Sequence, residues 1–130
     1  MMTRAAGPQD RKALLAITRA AFPDEDLRPV VETLLGREEG ITVVAGMPGA
    51  PVGYVFYTMG RIAPDGNAHG GEPAALLGPL AVAPHEQGQG TGTALVREGL
   101  RRLSATGSPP VLVLGDPRYY GRFGFVPETG

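Results

Sequence analysis

The sequence predicts an α/β (α+β) fold in which a mixed, mostly antiparallel central sheet is flanked by helices. Three observations carry that expectation. Apolar segments alternate between strand-like runs and helical periodicity in the order β-α-α-β-β-β-α-β-α along 130 residues. Ile41 to Ala45 and Val52 to Met59 flank Pro48-Gly49, the chemistry of a tight turn, and read as an antiparallel hairpin. Leu76 to Ala83, a glycine-bearing turn, an amphipathic helix and Val111 to Leu114 then form a strand–helix–strand crossover, which adds a parallel pair to the meander.

Each element has its own justification. Thr3 to Ala6 suits a short first strand. Asp10 stands where an N-cap belongs, ahead of a helix running to about Phe22 with Leu14, Leu15, Ile17 and Phe22 on its apolar side. Pro23 ends it. A second helix begins near Asp24 or Asp26, passes through Val30, Val31, Leu34 and Leu35, and stops at Gly36. The hairpin follows, then Leu76 to Ala83 as the fourth strand. Pro79 lacks a ladder donor, so Gly78-Pro79 marks either a bulge in that strand or the place where it begins. In the next helix Leu95, Val96, Gly99, Leu100 and Leu103 share one face, while Arg97, Glu98, Arg101 and Arg102 face water. Val111 to Leu114 is the fifth strand, and Asp116-Pro117 opens a last short helix with aspartate as N-cap and proline first. The 20 glycines and 13 prolines concentrate at these junctions, as punctuation rather than low complexity.

A chain of this length is read as one domain spanning 1–130, large enough for one core. Its 12 basic and 13 acidic residues leave a formal charge of −1, and neither sign clusters along the sequence, so composition offers no attraction for nucleic acid. With no cysteine, a disulfide framework and thiolate metal sites are excluded. No apolar run approaches the roughly 20 residues that span a bilayer, and no signal-peptide pattern opens the chain, so a soluble, cytoplasmic protein is expected. The eleven-to-one excess of arginine over lysine reads as nucleotide bias in the source genome.

The chemistry concentrates at Gln87-Gly88-Gln89-Gly90-Thr91-Gly92-Thr93. A glycine-rich turn at a helix N-terminus leaves several backbone N–H groups unpaired and aimed alike, and the helix dipole adds partial positive charge there. Such a loop suits a phosphate or pyrophosphate. A Walker loop requires Gly-Lys-Ser/Thr, and no lysine lies nearby. A dinucleotide fingerprint needs G-x-G-x-x-G directly after a strand. Here the third glycine comes one residue too soon and Pro84 to Gln87 intervene, although Asp116 imitates the ribose-binding acid.

The remaining pattern, Q-x-x-G-x-G at Gln87, Gly90 and Gly92, resembles the coenzyme A pyrophosphate loop of the GCN5-related N-acetyltransferase (GNAT) superfamily. Downstream, Tyr119-Tyr120-Gly121-Arg122-Phe123-Gly124-Phe125 resembles the same superfamily's aromatic-Tyr-x-x-x-Gly-Phe signature. The strings LGPLAVAP and GDPRYYGRFGF resemble small predicted bacterial N-acetyltransferases. The resemblance implies a sheet splayed between its fourth and fifth strands, with the pantetheine arm of acetyl-CoA lying in the gap along Leu80, Ala81 and Val82 and the pyrophosphate on Gln87, Gly88, Gln89, Gly90, Thr91, Gly92 and Thr93. It implies an acetyl-CoA-dependent transfer to an amine, small or on a protein, with no metal. No cysteine is present as a nucleophile, so the amine is expected to attack the thioester directly. A non-catalytic CoA-binding module is the rival reading.

Amide formation from a thioester needs a deprotonated amine, a stabilised oxyanion and a protonated leaving thiolate. The resemblance places the thiolate's acid at Tyr120, whose phenol stays protonated near neutrality with an ordinary pKa of about 10. The alternative for Tyr120 is a ring packed in the core, and Tyr119 reads as structural. Arg118 and Arg122 are either phosphate contacts or a solvated helix face, and Gly124-Phe125 reads as a tight helix exit closing the core. Some superfamily members carry a glutamate base on the fourth strand, but Leu76 to Ala83 holds no ionisable group. His69, Glu72, His85, Glu86 and a water chain all remain open as the base. Only Val126 to Gly130 follow the Gly-Phe signature, where relatives add further strands, so the C-terminal strands are expected to be shortened. The apolar edge of Val111 to Leu114 is then expected to pair two copies, or the chain to be a shortened form of a longer one.

Overall fold

The computed structural model describes residues 2–37, 40–62, 71–107, 109–113 and 120–125. Its elements follow the expected order: β1 (Thr3–Ala5), α1 (Arg11–Ala21), α2 (Arg28–Leu35), β2 (Ile41–Met47), β3 (Ala50–Ile62), β4 (Glu72–Val82), α3 (Thr91–Ser104) and β5 (Val111–Val113). The five strands form one sheet in the order β1-β2-β3-β4-β5, with antiparallel neighbours except for the parallel pair β4 and β5. The final helix expected from Asp116 lies outside the described residues except at Tyr120 and the 3₁₀ turn Gly121–Phe123. No helix among the described residues is long and apolar enough to cross a membrane.

Strand alternation divides the core between the two faces of the sheet. Val43, Ala45, Val55, Tyr57, Ala75 and Leu77 pack with Leu95, Val96 and Leu103 of α3. Val44, Tyr54, Phe56 and Ala81 pack with Leu14 and Ile17 of α1 and Val31 of α2. One observation breaks the alternation. Leu77 faces α3, and Ala81, four residues on, faces α1, although a regular strand would send both to the same side. The cause is a β-bulge: Leu77 pairs with Tyr57 and Leu80 with Val55, so Gly78 and Pro79 together oppose the single residue Phe56. The fourth strand therefore does not begin at Gly78-Pro79. It starts at Glu72, four residues before the expected Leu76, and the proline sits at a bulge, where a missing ladder donor is tolerated. Strands β3 and β4 are also longer than the apolar pattern indicates, because Arg61 and Pro73 extend the same ladder.

Asp10 departs from the expected capping role. It ends a 3₁₀ turn, Pro8–Asp10, with helical backbone angles and no capping bond to α1. Its fully buried carboxylate accepts two bonds from Arg4 (2.7 and 2.9 Å), one from the Gly7 N–H (2.8 Å) and one from the Gly49 N–H (3.1 Å). Arg4 also donates to the carbonyls of Gly46 and Met47, so the pair ties β1 to the β2–β3 hairpin turn. These bonds, the Arg4 guanidinium foremost, hold the Asp10 carboxyl well below the usual carboxylate range. A folded-state pKa lowered in this way adds stability that is complete above the unfolded value near 3.9 and lost as pH falls below it. We expect Asp10→Asn to lower stability by about 3 kcal/mol at pH 7, because it leaves Arg4 uncompensated. The gap from the parent protein should shrink towards pH 3; thermal melts at both pH values check it, and a gap independent of pH would refute the ionic account.

Candidate active site

The bulge in β4 decides which backbone groups are free. The Ala83 N–H donates to the Val52 carbonyl across the β3–β4 ladder, so Ala83 and Ala81 turn their backbone groups to β3. Leu80 and Val82, being the alternate residues, turn theirs to the side where β5 would continue. Among the described residues, however, β5 pairs with β4 only at Ala75, Leu76 and Leu77. Past the bulge, no described strand residue pairs with that side of β4. The side chains of Leu80 and Val82 rest on the α3 face of the core, whereas that of Ala81 is buried towards α1. Of the three residues expected on the pantetheine arm, Ala81 therefore offers neither backbone edge nor side chain to the gap.

Beyond β4, a 3₁₀ turn at Pro84–Glu86 leads into the glycine loop. Gln87 donates from Nε2 to the Val82 carbonyl (2.9 Å), which clamps the loop to the strand end, and Gln89 donates to the His85 carbonyl (3.3 Å). Gly88 (φ 78°) and Gly90 (φ 85°) hold left-handed conformations that favour glycine. A Cβ on either would meet nothing within 4 Å, so their bare backbone faces open space. Gly90 immediately precedes α3, and the Ala94 N–H is the first to bond a helical carbonyl, that of Gly90 (3.0 Å). The N–H groups of Thr91, Gly92 and Thr93 thus precede the helical ladder at the positive end of a 14-residue helix.

These groups line a cavity of about 360 Å³ together with Val82, Gln87, Gly88 and Gly90. Gln89 lies outside its lining. Two further residues complete it: Glu86, and Arg122 from the C-terminal 3₁₀ turn. Arg118, the other candidate phosphate contact, lies outside the described residues. The Thr91 hydroxyl is buried and has no hydrogen-bond partner among the described residues, an orphan at the head of the helix. Orphaned donors, a helix N-terminus and an arginine in one cavity fit a phosphate-bearing group.

Tyr120 is half-buried and packs against the α3-side core, its ring edge-on to Phe125 at a centroid distance of 6.0 Å. Its neighbour Tyr57 is buried, and its hydroxyl donates to the Val96 carbonyl of α3 (2.7 Å). Burial first, and the nearby Tyr120 second, push the Tyr57 phenol well above its ordinary range. Tyr57 is the residue that sequence reading did not single out. Its signal is Gly99: a lone glycine inside a helix, about 1 kcal/mol worse than alanine there, usually has a packing reason.

The candidate bases are scattered. His69 and Tyr119 lie outside the described residues. Glu72 is exposed at the first residue of β4, six residues before the bulge and so about 20 Å from it. His85 is exposed on the turn, and its Nε2 is 3.8 Å from Glu86. Glu86 lines the glycine-loop cavity rather than that side of β4. No three histidine, aspartate or glutamate side chains gather as a metal site among the described residues.

A mixed sheet with a bulged fourth strand, and a glycine loop at the head of the crossover helix whose cavity fits a phosphate-bearing group, define the class of α/β protein. The comparisons sharpen this. The family model described as "Acetyltransferase (GNAT) family" matches residues 11–125, and the chain belongs to that family. It is 34% identical over 128 residues to the uncharacterized N-acetyltransferase YjhQ of Escherichia coli K12, covering 98% of this chain and 62% of YjhQ. A GNAT acetyltransferase from Brucella melitensis, solved in complex with acetyl-CoA, superposes with a TM-score of 0.86 at 30% identity, over 97% of this chain and 82% of that one. YhbS of Escherichia coli, solved with CoA, gives a TM-score of 0.82 at 31% identity over 96% and 68%. The dinucleotide reading of the glycine loop falls with the family assignment.

Proposed function

We propose that this protein is an N-acetyltransferase that takes the acetyl group from acetyl-CoA and passes it to a primary amine by direct attack in a ternary complex. The observation that carries the reading is the junction at the end of β4, where the strand is clamped by Gln87 and runs directly into the glycine loop and the bare amides of α3, which line one cavity. Relatives of the same family have been solved with acetyl-CoA and with CoA, which supports that cofactor for this chain. Gly88, Gly90, Thr91, Gly92 and Thr93 present main-chain donors to the pyrophosphate, Arg122 adds charge, and Leu80 and Val82 hold the amide-bearing arm like an added strand.

The thioester supplies an activated carbonyl. Its carbon forms a bond to the amine nitrogen, the carbon–sulfur bond breaks, and the thiolate takes a proton. Tyr120 is the donor in this proposal, a phenol that stays protonated at neutral pH. With no acid or base on β4 between the bulge and Val82, the amine loses its proton to water or to a group brought by the acceptor. Glu72→Ala and His85→Ala are accordingly expected to change turnover less than Tyr120→Phe does, measured by thiol release. Loss of turnover in either, with CoA binding intact, would make that residue the base.

The decisive experiment is a thermal melt with acetyl-CoA, followed by thiol release across an amine panel. A ligand at about 100 times its Kd stabilises the native state by about 2.7 kcal/mol, a rise on the order of 10 °C for this size. Gly92→Asp should abolish the rise without harming the fold, since a carboxylate in the first turn favours the helix but repels the pyrophosphate. An undiminished rise in Gly92→Asp overturns the loop assignment. A rise without turnover on any amine leaves a CoA-binding module in place of an enzyme.

A further inference from the structure

A second cavity, of about 640 Å³, lies away from the glycine loop. It lies where the segment after β1, the end of α2, the start of β2 and the last turns of α3 meet. Arg102, on its wall, is eleven residues beyond Thr91, about 16 Å along the same helix. Three arginines from three separate elements converge on it: Arg11 at the start of α1, Arg37 past α2, and Arg102 on α3. Its remaining wall is apolar, with Ala6, Pro8, Leu35 and Ile41.

Among the described residues, the arginines have few acidic partners. Arg11 meets Glu32 only at 3.7 Å, with both side chains about half exposed, a contact worth little. Arg37 is exposed and has no side-chain partner among the described residues, whereas Glu38 and Glu39 beside it lie outside them. Arg102 shares Glu98 with Arg101, at 2.8 Å and 2.6 Å. The two guanidinium groups hold the Glu98 carboxyl down to about 2, so it contributes one negative charge against two positive ones. Among the described residues, the three lining arginines meet two carboxylates, Glu32 and Glu98, the second of them shared with Arg101. Guanidinium forks match the geometry of phosphate and carboxylate oxygens, and the apolar wall matches a hydrocarbon or aromatic body.

We infer that this cavity is a second ligand site, separate from the cofactor loop, for a small molecule bearing a phosphate or carboxylate on an apolar body. The site does not depend on the acetyltransferase reading, since no residue of the glycine loop takes part.

Amide chemical-shift mapping of the full chain tests it, because it reports where a probe binds. Inorganic phosphate, phenyl phosphate and benzoate are the probes, the last two separating a phosphate from a carboxylate preference. Saturable shifts are expected at Ala6, Arg37, Thr42 and Arg102, with phenyl phosphate binding about tenfold more tightly than inorganic phosphate through contact with the apolar wall. Arg37→Gln, an exposed change that leaves the core untouched, should weaken binding there on the order of tenfold while shifts at Gly88 to Thr93 persist. Three results overturn the inference: no saturable shift in this cavity with any probe, shifts confined to the glycine loop, or unchanged affinity in Arg37→Gln and in Arg11→Gln with Arg37→Gln.

Discussion

Replacing Gly99 with alanine is expected to lower stability by about 3 kcal/mol, a fall in Tm on the order of 10 °C. In an exposed helix the same change would add about 1 kcal/mol of helix propensity, so the predicted sign is the reverse of the local rule. The reason is Tyr57. A Cβ at Gly99 would fall within 2.8 Å of three carbons of its ring. That ring cannot swing away, because it is buried and its hydroxyl is held on the Val96 carbonyl one turn earlier in α3. Either α3 lifts from the sheet, opening the contacts of Leu95, Val96 and Leu103, or the ring leaves its site and abandons a buried hydroxyl. A double-mutant cycle with Tyr57→Leu checks the cause: removing the ring should recover much of the loss, whereas additive effects would show that Gly99 is needed for something other than Tyr57.

Tyr120→Phe is expected to lower kcat by tenfold to several hundredfold, with KM for acetyl-CoA and the acetyl-CoA-induced rise in Tm little changed. The substitution keeps the aromatic ring, and with it the packing on the α3-side core and the edge-on contact with Phe125. What it removes is a proton donor. An unchanged kcat would return Tyr120 to a purely packing role, and a changed Tm without ligand would reveal a hydrogen bond that the fold itself requires. Comparison with Tyr57→Phe is informative, since that phenol is committed to Val96 and should alter stability by about 1 kcal/mol more than it alters turnover.

Much of the candidate site was legible in the sequence because its devices are local. Gly88 and Gly90 advertise left-handed turns, the apolar repeat from Leu95 to Leu103 advertises the helix that follows, and the Gln87 amide needs only a carbonyl five residues back. The proline of Gly78-Pro79 announced an interruption but not its kind. Whether it opened a strand or bulged one depended on Arg61 to Thr58 pairing with Pro73 to Leu76, partners in another strand across the segment 63–70. Asp10 was misread for a similar reason. Aspartate ahead of a helix is ordinarily a cap, and nothing nearby in sequence indicates that Arg4 and the Gly49 N–H will claim its carboxylate instead.

From the sequence alone came the order of elements, the glycine turn at the head of α3 and the resemblance to the acetyltransferase family, since periodicity, turn chemistry and short motifs act within one element or one turn. Only the tertiary structure decided which face each half of β4 presents, that Gly99 makes room for Tyr57, and that Arg11, Arg37 and Arg102 surround one cavity. Charges interspersed along a chain carry no sign of clustering. They become a patch when the ends of α2 and α3 are brought beside the start of α1, and that juxtaposition is fixed by packing between residues tens of positions apart.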